Sequence, residues 1–278
     1  MRLSHNMFSE GIYKNYKRTL VKNSNAMNNI STGKKLNSAK DNPNKIAQAE
    51  NLKINLLSRD AASQNIQDTN SMLQTFDGAL QEMNNNISRL KQLTVQAANG
   101  TNEPEDRAVI QKEIDKIKED MNYIANNTSF NGIVMSDSTA TATAPNNKQS
   151  TIGALPDEKV DIPIYNLTNI ATGIDQIDVN DPTKLNSNLK WVDDAGNTIS
   201  SIRSKYGAIQ SRLDNTLDDI SGMNGPLTSA LSSIEDADIA QESLEFSRTQ
   251  IIYQASISLM VQSNKLPQDA LNVLASIR

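Results

Sequence analysis

Between residues 62 and 97, apolar or small side chains recur at Ile66, Thr69, Leu73, Phe76, Leu80, Met83, Ile87, Leu90, Thr94 and Ala97, in steps that alternate three and four without a miss. Such a run admits few structures. Only an α-helix brings residues three and four apart onto one line, and only a partner helix covers a line so narrow. Asn42 and Pro43 supply an N-cap and a first-turn proline, and Gly100 a stop, so the spacing predicts one helix over about residues 43–99. At 1.5 Å per residue that is a rod of about 80 Å.

The same rhythm appears twice more. Pro104 opens a second helix with Ile110, Ile114, Ile117, Met121 and Ile124 on one line, closed by NNTSFNG at 126–132. The turn between the two helices is short, which makes them antiparallel neighbours. Near the other end Ile202, Tyr206, Ile209, Leu213, Thr216, Ile220 and Met223 form a third seam, continued in phase by Leu227, Ala230, Ile234 and Ala237. Gly225 and Pro226 interrupt it chemically and predict a kink or a new helical start. Between about residues 133 and 191 the pattern changes: SDSTATATAPNN reads as an exposed loop, and KVDIPIYNL alternates as a half-buried strand does. The fold class is therefore mainly α: a long antiparallel, coiled-coil-like helical rod, with a few short β-strands or hairpins in the middle and the N- and C-terminal helices paired.

The two ends are amphipathic as well. Phe8, Ile12, Tyr16 and Leu20 fall four apart, and Ile251 (beside Ile252), Ala255, Leu259 and Leu266 line a face near the other terminus. Eight Lys or Arg stand against one acid over residues 1–40, whereas six acids stand against three basic residues over 233–278. Opposite charge suits pairing of the ends more than nucleic acid, for which no reading module is present. Neither end has a core of its own, so both are expected to order against a partner.

Chemistry is sparse. The chain has no cysteine and one histidine, His5, and it carries neither H-E-x-x-H nor G-x-S-x-G, so no catalytic, cofactor or metal residue is assigned. The acids Glu235, Asp236 and Asp238 lack the spacing of a calcium loop and read as a solvated helix end or inter-helix linker. The stretch NISTGKKLNSAKDNP, residues 29–43, is no phosphate loop: Asn28 stands where the first glycine belongs, Lys35 replaces Ser or Thr, and no strand precedes it. Gly33 and Pro43 instead mark a joint between helices, with Lys34, Lys35 and Lys40 turned to solvent or neighbouring subunits. No apolar run approaches the roughly 20 residues of a membrane span, and no cleaved secretory signal is expected.

Several stretches together go beyond composition. RLKQLTVQAANGTN (89–102), TSFNGIVM (128–135), YGAIQSRLDNTL (206–217), SSIEDADIAQES (232–243) and LPQDALNVLASIR (266–278) resemble the terminal regions of bacterial flagellins, as do MRLSHNM and ISTGKKLNSAKDNP near the start. The resemblance covers about residues 1–135 and 200–278. It implies a structural subunit, not an enzyme, that polymerises into the flagellar filament for swimming motility. In that family residues equivalent to 1–32 and 240–278 form an inner tube, 33–43 a joint, 44–132 and 200–239 a helical rod, and 133–199 a variable outer region, here short. One departure keeps an alternative open: flagellins commonly read DDAAG after the joint, whereas KDNPN at 40–44 is closer to the DDP of the related hook–filament junction protein.

The resemblance also implies partners. These are copies of the chain itself, a flagellin export chaperone, the flagellar export apparatus, cap and hook-junction proteins, and a host innate receptor for flagellin, with an extracellular, secreted location and neither nucleic acid nor membrane insertion. Arg89, Leu93 and Glu113 match the positions of receptor contact. Ile251, Ile252, Leu259, Leu271 and Leu274 are the face offered to the chaperone and to polymerisation.

Overall fold

In the computed structural model, which describes residues 6–141 and 144–276 with the side chains of 169–172, 182, 270, 271 and 273–276 excepted, six helices and two hairpins follow one another along the chain. They are α1 (Met7–Thr32), α2 (Pro43–Ala97), α3 (Pro104–Asn127), β1 (Ser129–Phe130), β2 (Ile133–Val134), β3 (Asn146–Thr151), β4 (Lys159–Ile164), α4 (Leu167–Asp175), α5 (Leu185–Glu235) and α6 (Ile239–Ser276), with a 3-10 turn at Pro182–Lys184 before α5. They form two units, a terminal one (Met1–Ile54 and Pro226–Arg278) and a central one (Asn55–Gly225). Among the described residues no helix is long and apolar enough to cross a membrane.

The central unit is built on the three-four seam of α2 that runs from Ile66 to Ala97. Ile66, Leu73, Phe76, Leu80, Met83 and Leu90 are fully buried, and they share one core with Ile114 and Met121 of α3 and with Val192, Ile199, Tyr206 and Leu213 of α5. The two seam threonines stay satisfied inside it: Thr94 donates to the Leu90 carbonyl at 2.7 Å and Thr69 to that of Asn65 at 2.7 Å. Polar pairs fix the direction of α5. Arg203 bonds Asp77 at 2.8 Å, Lys91 bonds Asp193 at 2.6 Å and Asn70 bonds Asp214 at 2.7 Å, so residue numbers fall along α5 as they rise along α2, as in an antiparallel pair.

The ends of these helices follow local chemistry. Asn42 accepts from the amide of Lys45 at 3.1 Å, and Pro43 is the first residue of α2, an N-cap followed by a first-turn proline. α5 begins at Leu185, well before Ile202, because Asn188, Val192, Ala195 and Ile199 carry its seam backward. It also runs through Gly225 and Pro226 without a new start. A proline deletes one hydrogen bond of the ladder, and the bonded turns on both sides keep the helix continuous.

The middle segment holds the expected strands and one unexpected helix. β3 and β4 pair antiparallel, with Asn146 opposite Ile164 and Thr151 opposite Lys159, and Val160, Ile162 and Ile164 alternate into the core. β1 and β2 are joined by Asn131 and Gly132 at φ 47° and 80°, the positive angles of a two-residue hairpin turn. In the exposed loop before β3, bonds from the Asn146 amide and from Thr139 lower the Asp137 carboxyl to about 2. Residues 142 and 143 of the Thr-rich tract lie outside the described residues. Helix α4 is held at its C-terminal end by Lys118, a buried lysine that donates to the carbonyls of Asp175 (3.1 Å) and Ile177 (3.0 Å).

Candidate assembly surface and joint

In the terminal unit α1 and α6 lie antiparallel, and the line along which they meet is polar. Asn6 donates to the carbonyl of Ser263 at 2.9 Å, Tyr16 stacks on Tyr253 with centroids 5.3 Å apart, Asn23 donates to Thr249 at 3.0 Å and Asn29 to Glu242 at 3.1 Å. The buried residues are Thr19 and Ala26 on α1, and Thr249, Ser256 and Ser263 on α6, each set spaced by seven. A heptad is present at both ends, then, but it is written in small and hydroxyl-bearing side chains. The nearby Tyr253 phenol, and then burial, raise the Tyr16 pKa.

The apolar residues that signal amphipathicity in the sequence lie on the other side. Ile12 and Tyr16 are half-buried in the seam, whereas Phe8 and Leu20 are exposed, so the four-apart line of α1 is not its packing line. On α6, Ile251 is 68% exposed and Leu259 52%, and Ile252, Leu244 and Leu266 are open as well. The side chains of Leu271 and Leu274 lie outside the described residues. An apolar stripe of this extent facing water is what a partner covers, because each buried Å² of such surface stabilises by about 25 cal/mol.

The joint is tied by backbone and charge. Gly33 ends α1 in the left-handed region (φ 72°), where other residues are strained; its amide bonds the Asn29 carbonyl at 2.8 Å and its carbonyl accepts from Ala237 at 2.9 Å. Lys35 donates its amide to the carbonyl of Glu235 at 2.8 Å, so the two connectors form a short antiparallel bridge. Glu235 is the last residue of α5, and its carboxylate is buried between Lys34 (2.5 Å) and Lys53 (3.1 Å). The Lys34 ammonium and then Lys53 hold the Glu235 pKa below its ordinary value, against burial, and the bonds of Glu235 and Glu50 raise that of Lys53.

Two expectations are corrected here. The acidic cluster does stand at a helix end, with Asp238 capping α6 through the Ala240 amide at 2.9 Å, but Glu235 is not solvated. Lys34 is engaged inside the chain, and Lys35 reaches the Ser233 carbonyl at 2.6 Å. Nothing local in the sequence marks Glu235, since its partners come from far along the chain.

The third set of expected residues lies on α2 and α3. Arg89 and Glu113 meet in an exposed ion pair, Nε and Nη2 reaching the same carboxylate oxygen at 2.9 and 2.6 Å. Leu93, one step off the seam, is only 1% exposed. It packs the central core and offers no open surface, so the three positions do not form one exposed patch. Among the described residues no three His, Cys, Asp or Glu side chains group as a metal site requires.

Comparison with known proteins bears on the whole chain. Residues 3–141 match the family model of the bacterial flagellin N-terminal helical region, and residues 189–274 that of the bacterial flagellin C-terminal helical region. A flagellin of Halalkalibacterium halodurans is 32% identical over 276 residues, 99% of this chain and 100% of the relative, and one of Bacillus subtilis is 34% identical over 303 residues, with the same coverage of each chain. Among solved structures, Bacillus cereus flagellin aligns at 29% identity with a TM-score of 0.50, over 56% of this chain and 88% of its own. A Vibrio parahaemolyticus protein described as flagellar hook-associated aligns at 15% identity with a TM-score of 0.61, over 70% of this chain and 100% of its own, and shares the fold.

Proposed function

The chain belongs to the bacterial flagellin family, and from that premise we propose that the outward apolar faces of its paired terminal helices are the surface through which copies of it join. Flagellins are structural proteins, and this chain is a filament subunit: it polymerises into the extracellular flagellar filament that serves swimming. The observation that carries the assembly surface is the inverted pattern of α1 and α6, with hydroxyls and alanine inside and Ile251, Leu259 and their neighbours outside. A lone pair of helices leaves that surface in water; a helical polymer of identical copies covers it. The junction alternative is not favoured. The likeness to a hook-associated protein is 15% identical and speaks to fold, whereas flagellins above 30% identity match almost the full chain.

In this reading residues 1–32 and 240–278 face the filament axis, 33–43 is the joint, 44–132 and 200–239 form the surrounding rod, and 133–199 is the short outer region. Before assembly the stripe Ile251, Ile252 and Leu259, with Leu271 and Leu274, binds the export chaperone, and the chain is secreted through the flagellar export apparatus to polymerise under the cap on the hook-junction proteins. Where a host flagellin receptor meets the chain, Arg89 and Glu113 are the groups it reaches.

Seeding the purified chain with filament fragments tests the surface. Wild type grows long filaments that sediment and are visible by electron microscopy, whereas Ile251→Asp with Leu259→Asp stays in the supernatant with an unchanged central unit. Growth of the double variant at the wild-type rate would overturn the proposal.

A further inference from the structure

The joint carries a feature that assembly alone does not require. Three segments of the terminal unit converge on one carboxylate: the joint after α1 through Lys34, the first turns of α2 through Lys53, and the end of α5, which bears Glu235 itself. The carboxylate is nine-tenths buried yet borders a cleft of about 170 Å³ lined by Leu36, Ile46, Ala49, Glu50 and Lys53, so water and protons have a route to it. Immediately beside it run the two main-chain bonds of the bridge, Lys35 N–H to Glu235 O and Ala237 N–H to Gly33 O.

The charged groups around Glu235 are few. The joint offers Lys34, Lys35 and Asp41, the last engaged by the amides of Asn37 and Ser38; α2 offers Lys53 and Glu50, and the connector beyond offers Asp236 and Asp238, the latter engaged in capping α6. The α1 side chains bonded into the joint are uncharged: Asn29, which takes the Asn37 side-chain amide and donates to Glu242, and Thr32, whose hydroxyl accepts from the Lys34 amide. Glu235 is therefore the one carboxylate among these that holds two ammonium groups from two different segments.

We propose that Glu235 is an acid-released latch: ionised, it clamps the joint and α2 to the end of α5, and protonated, it lets go of both lysines and opens the bridge between the connectors. The sign follows from linkage. Because its two ammonium partners depress the folded-state pKa, the pairing contributes stability above the ordinary value of about 4.5 and loses it as pH falls through the lower, folded value. The protonated carboxyl is neutral, and two ammonium groups close to one another then repel with no anion between them. Because the termini are the assembling parts, release of the latch loosens the filament from within each subunit; this consequence rests on the assembly reading above.

Hydrogen exchange on assembled wild-type filaments, corrected for intrinsic rates, tests the latch at the amides of Lys35 and Ala237. Between about pH 7 and about pH 3 their protection falls severalfold, while amides of the central seam such as Leu80 and Leu213 keep theirs. In Glu235→Gln filaments the same two amides are poorly protected at neutral pH and change less than about twofold on acidification. Glu235→Asp, which keeps the charge, restores a pH-dependent loss. Protection of Lys35 and Ala237 that stays within about twofold in the wild type overturns the latch, as does a Gln variant that titrates like wild type. Should Glu235→Gln not polymerise, the wild-type titration and the Asp variant still decide. Failure of the wild type to form filaments would instead speak against the assembly surface.

Discussion

Leu93 and Arg89 sit four residues apart on one helix, and burial separates their roles. Leu93 belongs to the core, so truncating it would disturb packing and tell nothing about a partner. Arg89 pairs with Glu113 where both side chains are about half exposed, 49% and 47%, and such a pair contributes about 1 kcal/mol at most. Arg89→Asp should therefore leave the thermal unfolding of the chain within about 1 kcal/mol of wild type while abolishing activation of a flagellin-receptor reporter cell. Full activation by a folded Arg89→Asp monomer would remove Arg89 from the contact. Glu235 makes the complementary case at this scale: a residue read from its acidic neighbourhood as solvated is buried because Lys34 and Lys53 neutralise it.

At the level of elements, the central and terminal helices follow the same geometry with opposite chemistry. The seam of α2 was legible because its buried positions are apolar, and a three-four rhythm of Leu, Phe, Met and Ile stands out from a polar background. The seam of α1 and α6 was not, because Thr19, Ala26, Thr249, Ser256 and Ser263 read as solvent-facing residues, and the eye follows Phe8, Leu20, Ile251 and Leu259 instead. The seven-residue spacing of Thr249, Ser256 and Ser263 was the signal available. Within that seam the hydroxyls are not equivalent. Thr249 receives the Asn23 amide from across the pair, whereas Ser256 bonds only its own helix, at the Ile252 carbonyl, 2.7 Å. Thr249→Ala should then destabilise the assembled terminal pair by about 1 kcal/mol, and Ser256→Ala by clearly less, read as the dissociation temperature of filaments. Equal effects would mean that the cross-helix bond contributes nothing. Helix α4 escaped notice for another reason: LTNIATGID mixes apolar and polar residues over too few turns to show a helical period, and its C-terminal end is held by Lys118 from α3.

For the whole molecule, the two units differ in what holds them. The central unit has a continuous apolar core shared by α2, α3 and α5 and should stay folded at any concentration. The terminal unit has a hydroxyl-lined seam and an exposed apolar stripe, and on the assembly surface proposed above its helices gain burial from other copies. Far-UV circular dichroism should accordingly show helix content rising as monomers polymerise, with the gain localised by hydrogen exchange to α1 and α6. A monomer whose α1 and α6 amides are already as protected as in the filament would contradict this account.

The linear chain was enough to establish three helical seams, the short β-rich interruption, the helix break between Gly33 and Pro43, and the resemblance to flagellins. Each of those depends on local period, capping residues or motif spacing, which neighbours in the chain create among themselves. The inside of the terminal pair, the burial of Leu93, the reach of α5 and the closing of Lys34 and Lys53 on Glu235 depend on segments that are distant in sequence. Those contacts are chosen by packing and by charge neutralisation in the folded chain, and neither leaves a periodic trace in the residues that make them.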